Sequence, residues 1–537
     1  MAALFAATAE AGYYTPTTIT TSGEMQLDAK ADTVEGYRID AKDGAGQATI
    51  TSDAISGSAI YVREGELLVG GTDTHNTLVI NPQGGGQHRQ GDSPNMLSVA
   101  GKDSVMIIDN ATVTTDKEVT TNIGGADGNG TLIIQNGGKY DGSKQDYFVL
   151  GYQSYRVSGS TPLSSHVQIV HATTQGVLGG EMSDNTDLTN RFQGAYTEGA
   201  GNTEFGRGVV TVTGNSEMIA SGVKEFTMGE GELNVLENST FSTSGLPVLL
   251  GFSEGSTSVV NVKSGSVMNL NGQLHTGEWK DSQVMITVNN ATVKLNDYKG
   301  SFLGLGTWSD SARDYVDNGS TTQVNLEDKA VMHVTEEMYV GYSSKADVVV
   351  ASAAKIQDSG SAVDRLFVCK AGTVTNAGEL QIATTLDGGV FTMLDGAVAA
   401  SLTATTAGSI YIEGNTTFTG DVAVGGETRL TFDLGSTMNL DGCLFSFDGG
   451  TIYVELGSVN AEGLTTPYFT LGYTEVGAID IAEGTKIQLM QNGVAYGEAV
   501  ELVVGTNVAT KIIPEPATVT LSLLALAGLA ARRRRQR

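Results

Sequence analysis

The sequence predicts an all-β fold, an elongated parallel solenoid, and three observations carry the prediction. From about Ala31 to Thr510 short segments with apolar residues two apart recur, and no stretch sustains a capped amphipathic helical pattern. The segments resemble one another and return at loose intervals of about 20 to 35 residues, which is how stacked repeats read in sequence. Glycine is abundant, 70 of 537 residues, and proline scarce, 8, which suits many tight turns between short strands and excludes collagen-like or proline-rich chains.

Residues 1–11, Met1-Ala-Ala-Leu-Phe-Ala-Ala-Thr-Ala-Glu-Ala, place Ala7, Ala9 and Ala11 in an Ala-x-Ala arrangement. The apolar run is short and no basic residue precedes it, so the stretch reads as the final part of a longer signal peptide cut near Ala9 or Ala11. An upstream in-frame start encoding lysines or arginines is the expectation. A stop codon directly before Met1 would rule the reading out.

Residues 12–450 form the repetitive body. Its unit is strand, turn, strand: VMIIDNATV (105–113), VVTVTGNSEM (209–218), VVNVKSGSVMNL (259–270), VMITVNNATVKL (284–295), TQVNLEDKAVMHV (322–334) and LTFDLGSTMNL (430–440). Because side chains alternate along a strand, Val260 with Val262, Ile286 with Val288 and Val324 with Leu326 should share one face. A second element is a short apolar run ending in glycine, at Gly151, Gly229, Gly251, Gly304, Gly306 and Gly341. The interval widens where the polar insert TWSDSARDYVDNGS intervenes. One coil cannot bury its own apolar side, so coils must stack, with strands about 4.8 Å apart. The pattern resembles the right-handed parallel β-helix of autotransporter passengers and pectin-lyase-like surface proteins, which implies a right-handed coil. Residues 451–511 depart from the period and are expected to cap the solenoid as a C-terminal β segment.

Residues 512–537 have three parts: the triplet Pro514, Glu515, Pro516, an uncharged stretch from Ala517 to Ala531, and the cluster Arg532, Arg533, Arg534, Arg535 and Arg537. As a short apolar helix the stretch would reach about 22 Å, less than the roughly 30 Å hydrocarbon core, and snorkelling arginines help it cross. Positive charge is retained on the cytoplasmic side, which leaves the preceding chain outside. This layout resembles the PEP-CTERM sorting signal of Gram-negative bacteria. The resemblance implies that an exosortase-type membrane processing enzyme reads the triplet and removes the tail, that the inner membrane holds the tail transiently, and that the body is delivered to the cell envelope, cell surface or extracellular matrix. A permanent single-span anchor is the rival.

The formal charge is −29, and five of the basic residues sit in the tail, so the body alone is more acidic still. That balance argues against a nucleic-acid partner. It fits a solvated surface that takes up divalent cations weakly at most. Cys369 and Cys443 are the sole cysteines, and apolar neighbours flank both, which favours two buried thiols over one bridge. With no CxxC and no Cys/His cluster, neither a metal site nor a cofactor is expected. His166 and His171 are five apart and fall on opposite faces of a strand. The run Gly124-Gly-Ala-Asp-Gly-Asn-Gly resembles part of a calcium-binding repeat but occurs once, as a plain turn would. Asn110, Asn238, Asn290 and Asn415 begin Asn-x-Ser/Thr triplets that suit turns. Trp279 and Trp308 lie in polar settings, EWKD and TWSD, and would either stack on sugars or anchor loops.

Acids are scattered through turns without a repeated Asp-Asp or His-Asp motif, and no catalytic residue is assigned. The expected role is therefore non-catalytic: structural, adhesive or extracellular-matrix, with surface polysaccharide as the partner class. The alternative is a carbohydrate-active β-helix enzyme, a polysaccharide lyase or hydrolase, which requires acids from adjacent coils to converge.

Overall fold

Residues two apart do line one face, because the segments that carry them are strands. The computed structural model of the chain describes residues 96–115, 120–124, 129–151 apart from 146, 206–220, 225–244, 247–296 and, with short gaps, 300–512, together with isolated strands between 17 and 80. The expected signal remnant 1–11, the triplet Pro514, Glu515, Pro516, the apolar stretch and Arg532, Arg533, Arg534, Arg535 and Arg537 lie outside the described residues, as do His166 and His171. Among the described residues there is no helix, so none is long and apolar enough to cross a membrane. The chain divides into two compact units, Met1–Asp297 with Asn318–Thr321, and Tyr298–Asp317 with Thr322–Arg537.

From Gly130 to Thr276 each coil of the first unit supplies three strands, and each strand pairs in parallel with its equivalent on the neighbouring coils. Gly208–Val212, Gly231–Val235, Thr257–Lys263 and Gln283–Asn289 form one ladder. Glu217–Ile219, Thr240–Ser242, Val267–Leu270 and Thr292–Leu295 form a second. Glu225–Met228, Val248–Leu250 and Leu274–Thr276 form a third. The coil of Gly130–Gln135, Lys139–Asp141 and Tyr147–Leu150 joins the same three ladders. Val260 pairs with Ile286 and Val262 with Val288, and all four are buried. A fully buried valine or isoleucine contributes about 1.5 to 3 kcal/mol, so each column of such residues is a main source of stability. Aromatic rings extend the core: Phe148 stacks on Phe226 at 5.7 Å, and Phe241 meets Phe226 edge-on at 5.4 Å.

The turns hold the register. Asn110, Asn238 and Asn290 follow first strands with φ of 48°, 58° and 46°, the left-handed region that asparagine tolerates. Like residues then bond across coils: the Ser216 backbone N–H donates to Ser239 Oγ at 3.1 Å, and the Ser239 N–H donates to Ser266 Oγ at 3.2 Å. Asn261 Nδ2 donates to Asn234 Oδ1 at 3.0 Å in the same manner. Such ladders form only when equivalent positions stack directly, which penalises a slipped strand.

The second unit repeats the three-strand scheme. Lys345–Val350, Gly372–Asn376, Val390–Met393, Ser409–Ile412, Arg429–Asp433, Thr451–Glu455 and Lys486–Gln491 run in one parallel ladder. Val324 and Leu326, in Thr321–Glu327, are both buried as their spacing predicts. Parallel pairing continues past residue 450, through Thr451–Glu455 and Phe469–Tyr473. Val494–Ala495 and Val500–Glu501 fold back antiparallel on Lys486–Gln491. The polar insert forms an antiparallel hairpin, Thr307–Ser309 with Asp314–Val316. Cys369 and Cys443 are separate buried thiols.

Candidate functional site

The second unit carries a column of aromatic residues on the outer side of its third ladder. In Ser301–Leu303, Glu337–Val340 and Arg365–Cys369 the residues flanking the aromatic are buried, so the aromatic between them points out. Parallel register then aligns Phe302 with Tyr339 and Tyr339 with Phe367. The three rings stack at centroid separations of 4.8 Å, inclined by 3° and 10°, so their spacing is that of the strands themselves.

Two glycines route further rings onto this column. Gly341 has a φ of 69°, and a Cβ there would collide with the backbone nitrogen of Gly372, so only glycine fits. The chain leaves it with Tyr342 set edge-on to Phe302 at 5.4 Å and to Tyr339 at 5.7 Å. Gly306, with a φ of 83°, opens the hairpin, and a Cβ there would strike the carbonyl oxygen of Val316. Across the hairpin Trp308 opposes Tyr315, and their rings meet edge to face at 5.4 Å. Tyr315 in turn lies 6.2 Å from Tyr342. Ser343 Oγ donates to the Tyr315 carbonyl at 2.9 Å, and Ser344 Oγ donates to Asp317 Oδ1 at 3.0 Å, which fastens the hairpin to the coil. Trp308, in Thr307–Ser309, is 53% exposed.

Carboxylates border these rings. Burial raises the Tyr339 phenol, and its hydrogen bond to Glu337 Oε2, donated at 2.6 Å, raises it further. Burial also raises Tyr342, and the negative charges of Asp314 and Asp387 add to it. The Cys369 thiol is pushed up to about 12 by burial and then by Asp387. Both phenols are therefore neutral hydroxyls at physiological pH, able to donate and accept hydrogen bonds beside apolar ring surface. A combination of ring surface, hydroxyls and carboxylates suits an uncharged polyol with alternating CH and OH faces, and repels a polyanion.

Other sequence candidates have different fates. Trp279 anchors a loop, packing on Phe252 at 5.3 Å. His275 is buried, with Nδ1 2.6 Å from Glu278 Oε1, and His333 Nδ1 lies 3.0 Å from Gln357 Nε2. Asn110, Asn238, Asn290 and Asn415 all lie at turns or a strand start. Three acids do occupy successive coils: Asp433 pairs with Glu455, and Glu413 follows Ile412, the partner of Phe432. Burial raises Glu413 and then Asp433 raises it further, while burial and then Glu455 raise Asp433. Glu455 also accepts backbone N–H bonds from Asn492 at 2.7 Å and Gly493 at 3.2 Å.

Of the aromatic cluster, Trp308 alone was marked by its polar sequence context. Phe302, Tyr339 and Phe367 share a weaker signal, an aromatic in the middle of the equivalent runs SFLG, MYVG and LFVC. No family model matches the chain, and a search of curated proteins finds no match.

Proposed function

We propose that this chain is an exported, non-catalytic component of a bacterial cell envelope or extracellular matrix, and that its second unit meets neutral surface polysaccharide through the aromatic face. The observation that supports this most is the continuous series of six rings from Phe367 to the exposed Trp308. Trp308 meets Tyr315 edge to face and still leaves 53% of its surface exposed, so it offers ring surface to a ligand. In this reading the coils wind right-handed. Residues 517–531 form the short apolar helix that holds the inner membrane, Pro514, Glu515 and Pro516 are read by an exosortase-type enzyme, and the terminal arginines stay inside.

Affinity electrophoresis of the full chain through gels containing neutral or acidic polysaccharides tests the contact. Wild type is expected to be retarded by a neutral polymer and not by an acidic one, with Trp308→Ala at least about tenfold weaker, a loss of about 1.4 kcal/mol. Equal mobility of wild type and variant in every gel would remove the aromatic face from the proposal.

The stacked Glu413, Asp433 and Glu455 favour a second reading, a polysaccharide hydrolase in which one raised carboxyl serves as acid. Release of reducing ends by wild type and its loss in Asp433→Asn would establish that reading in place of the first.

A further inference from the structure

Large apolar side chains are exposed unevenly. Twelve such residues are exposed among the described residues, and five of them, Val494, Tyr496, Val500, Val503 and Val504, fall within eleven positions at the end of the last coil. Val494 is 69% exposed and Val504 50%, values expected of polar surface residues.

Register explains their origin. Ile452 pairs with Ile487, and Ile487 pairs with Val500, so Val500 continues a column of the core beyond the final parallel strand. Ile452 and Ile487 are fully buried, whereas Val500 is 44% exposed. Terminal repeats of a solenoid ordinarily present a polar outer face, and this one presents valines. Within the stretch 494–504 itself Glu498 and Glu501 are exposed and no basic residue occurs, with Lys486 opposite Glu501 in register, so the patch is slightly acidic.

Chain connectivity indicates what covers the patch. The last strand, Val508–Ile512, pairs with Phe469–Tyr473 in the same terminal coil. The uncharged stretch begins at Ala517, five residues after Ile512, and five residues span at most about 18 Å. Wherever that stretch enters a bilayer, the terminal coil is held at the headgroup layer.

We propose that the exposed apolar end of the second unit, Val494, Tyr496, Val500, Val503 and Val504, seats on the lipid surface while the tail is inserted, and that it prefers zwitterionic to anionic lipid. This rests on the tail reading given above. Valines gain by leaving water at the acyl boundary, tyrosine suits the interface, and the acidic rim repels anionic headgroups.

The test uses the full chain reconstituted in phosphatidylcholine vesicles, with Val504→Cys carrying an environment-sensitive fluorophore. Cys369 and Cys443 are buried, with thiols pushed up to about 12 and about 11, so they escape labelling. Val349→Cys, on a different coil of the same unit, is the control. Alkaline extraction reports tail insertion separately. The expected result is a membrane-retained chain whose label at 504 is blue-shifted and quenched by spin-labelled lipid, with the label at 349 unaffected and the shift reduced by adding phosphatidylglycerol. Retention without quenching at 504 overturns this proposal and leaves the tail reading intact. Extraction of the chain overturns both. A blue shift at 504 that depends on protein concentration and not on vesicles assigns the patch to a second copy, and the lipid proposal falls.

Discussion

Asp364 shows how one buried carboxylate can hold a turn. It is 3% exposed and accepts from the Glu336 N–H at 2.7 Å, the Ser359 N–H and hydroxyl at 2.6 Å each, and the Ser361 N–H at 3.4 Å. Burial alone would raise this carboxyl, but the Ser359 hydroxyl and the backbone donors outweigh it and hold it below the usual value. A depressed pKa in the folded state means that the stability it contributes is present above the unfolded value and is lost as pH falls through the folded one. Asp364→Ala should cost about 2 to 4 kcal/mol at neutral pH by leaving these donors unmet, measured by urea unfolding, and the difference from wild type should shrink in acid. Asp433 has the opposite sign. Its carboxyl is raised, so its ionised form opposes folding above that pKa, and the cost is relieved as pH falls. Asp433→Asn is expected to raise Tm at pH 7, with the gain diminishing in high salt and disappearing below the carboxylate range. A lower Tm for Asp433→Asn at pH 7 would mean that the carboxylate has a favourable partner.

Alternation is local information, so the strands themselves were legible. The inward valines of VVNVKSGSVMNL and VMITVNNATVKL needed only the period of two, and the turns between were marked by Ser264-Gly265 and Asn290. The aromatic column was not legible, because Phe302, Tyr339 and Phe367 become neighbours only when the register across intervening inserts is known. The polar cluster inside the first unit was hidden for a similar reason. Hydroxyls of Thr115, Thr121 and Tyr140 converge on Gln145 Oε1 at 2.8, 3.0 and 2.6 Å, and Gln145 Nε2 donates to the Ala220 carbonyl. Thr and Gln read as surface residues in sequence, and only a closed coil turns them inward. Packing between coils makes a third prediction. Phe226, in Glu225–Met228, contacts Phe148 on the preceding coil and Phe241 in the second ladder, so Phe226→Ala should cost about 3 to 5 kcal/mol. A cost under about 1 kcal/mol in chemical denaturation would show that the rings repack independently of their coils.

At the scale of the whole molecule, address and fold are separate kinds of information. The fold lies in periodicity along the body, whereas the proposed address lies in the composition of residues 512–537. A net charge of −29 favours solubility, and the terminal arginines oppose that balance. Clustered arginine is useful for retention on the cytoplasmic side, and under the proposed export it has no evident use on the acidic body. Removal of the tail is therefore expected once the body has crossed. Intact-mass spectrometry of the protein recovered from envelope and medium, with terminal peptides mapped, should find an end near Pro514, Glu515 and Pro516 and no arginine cluster. A full-length terminus confined to the membrane fraction would instead mean that the arginines act throughout the protein's life, as the inner end of a permanent anchor.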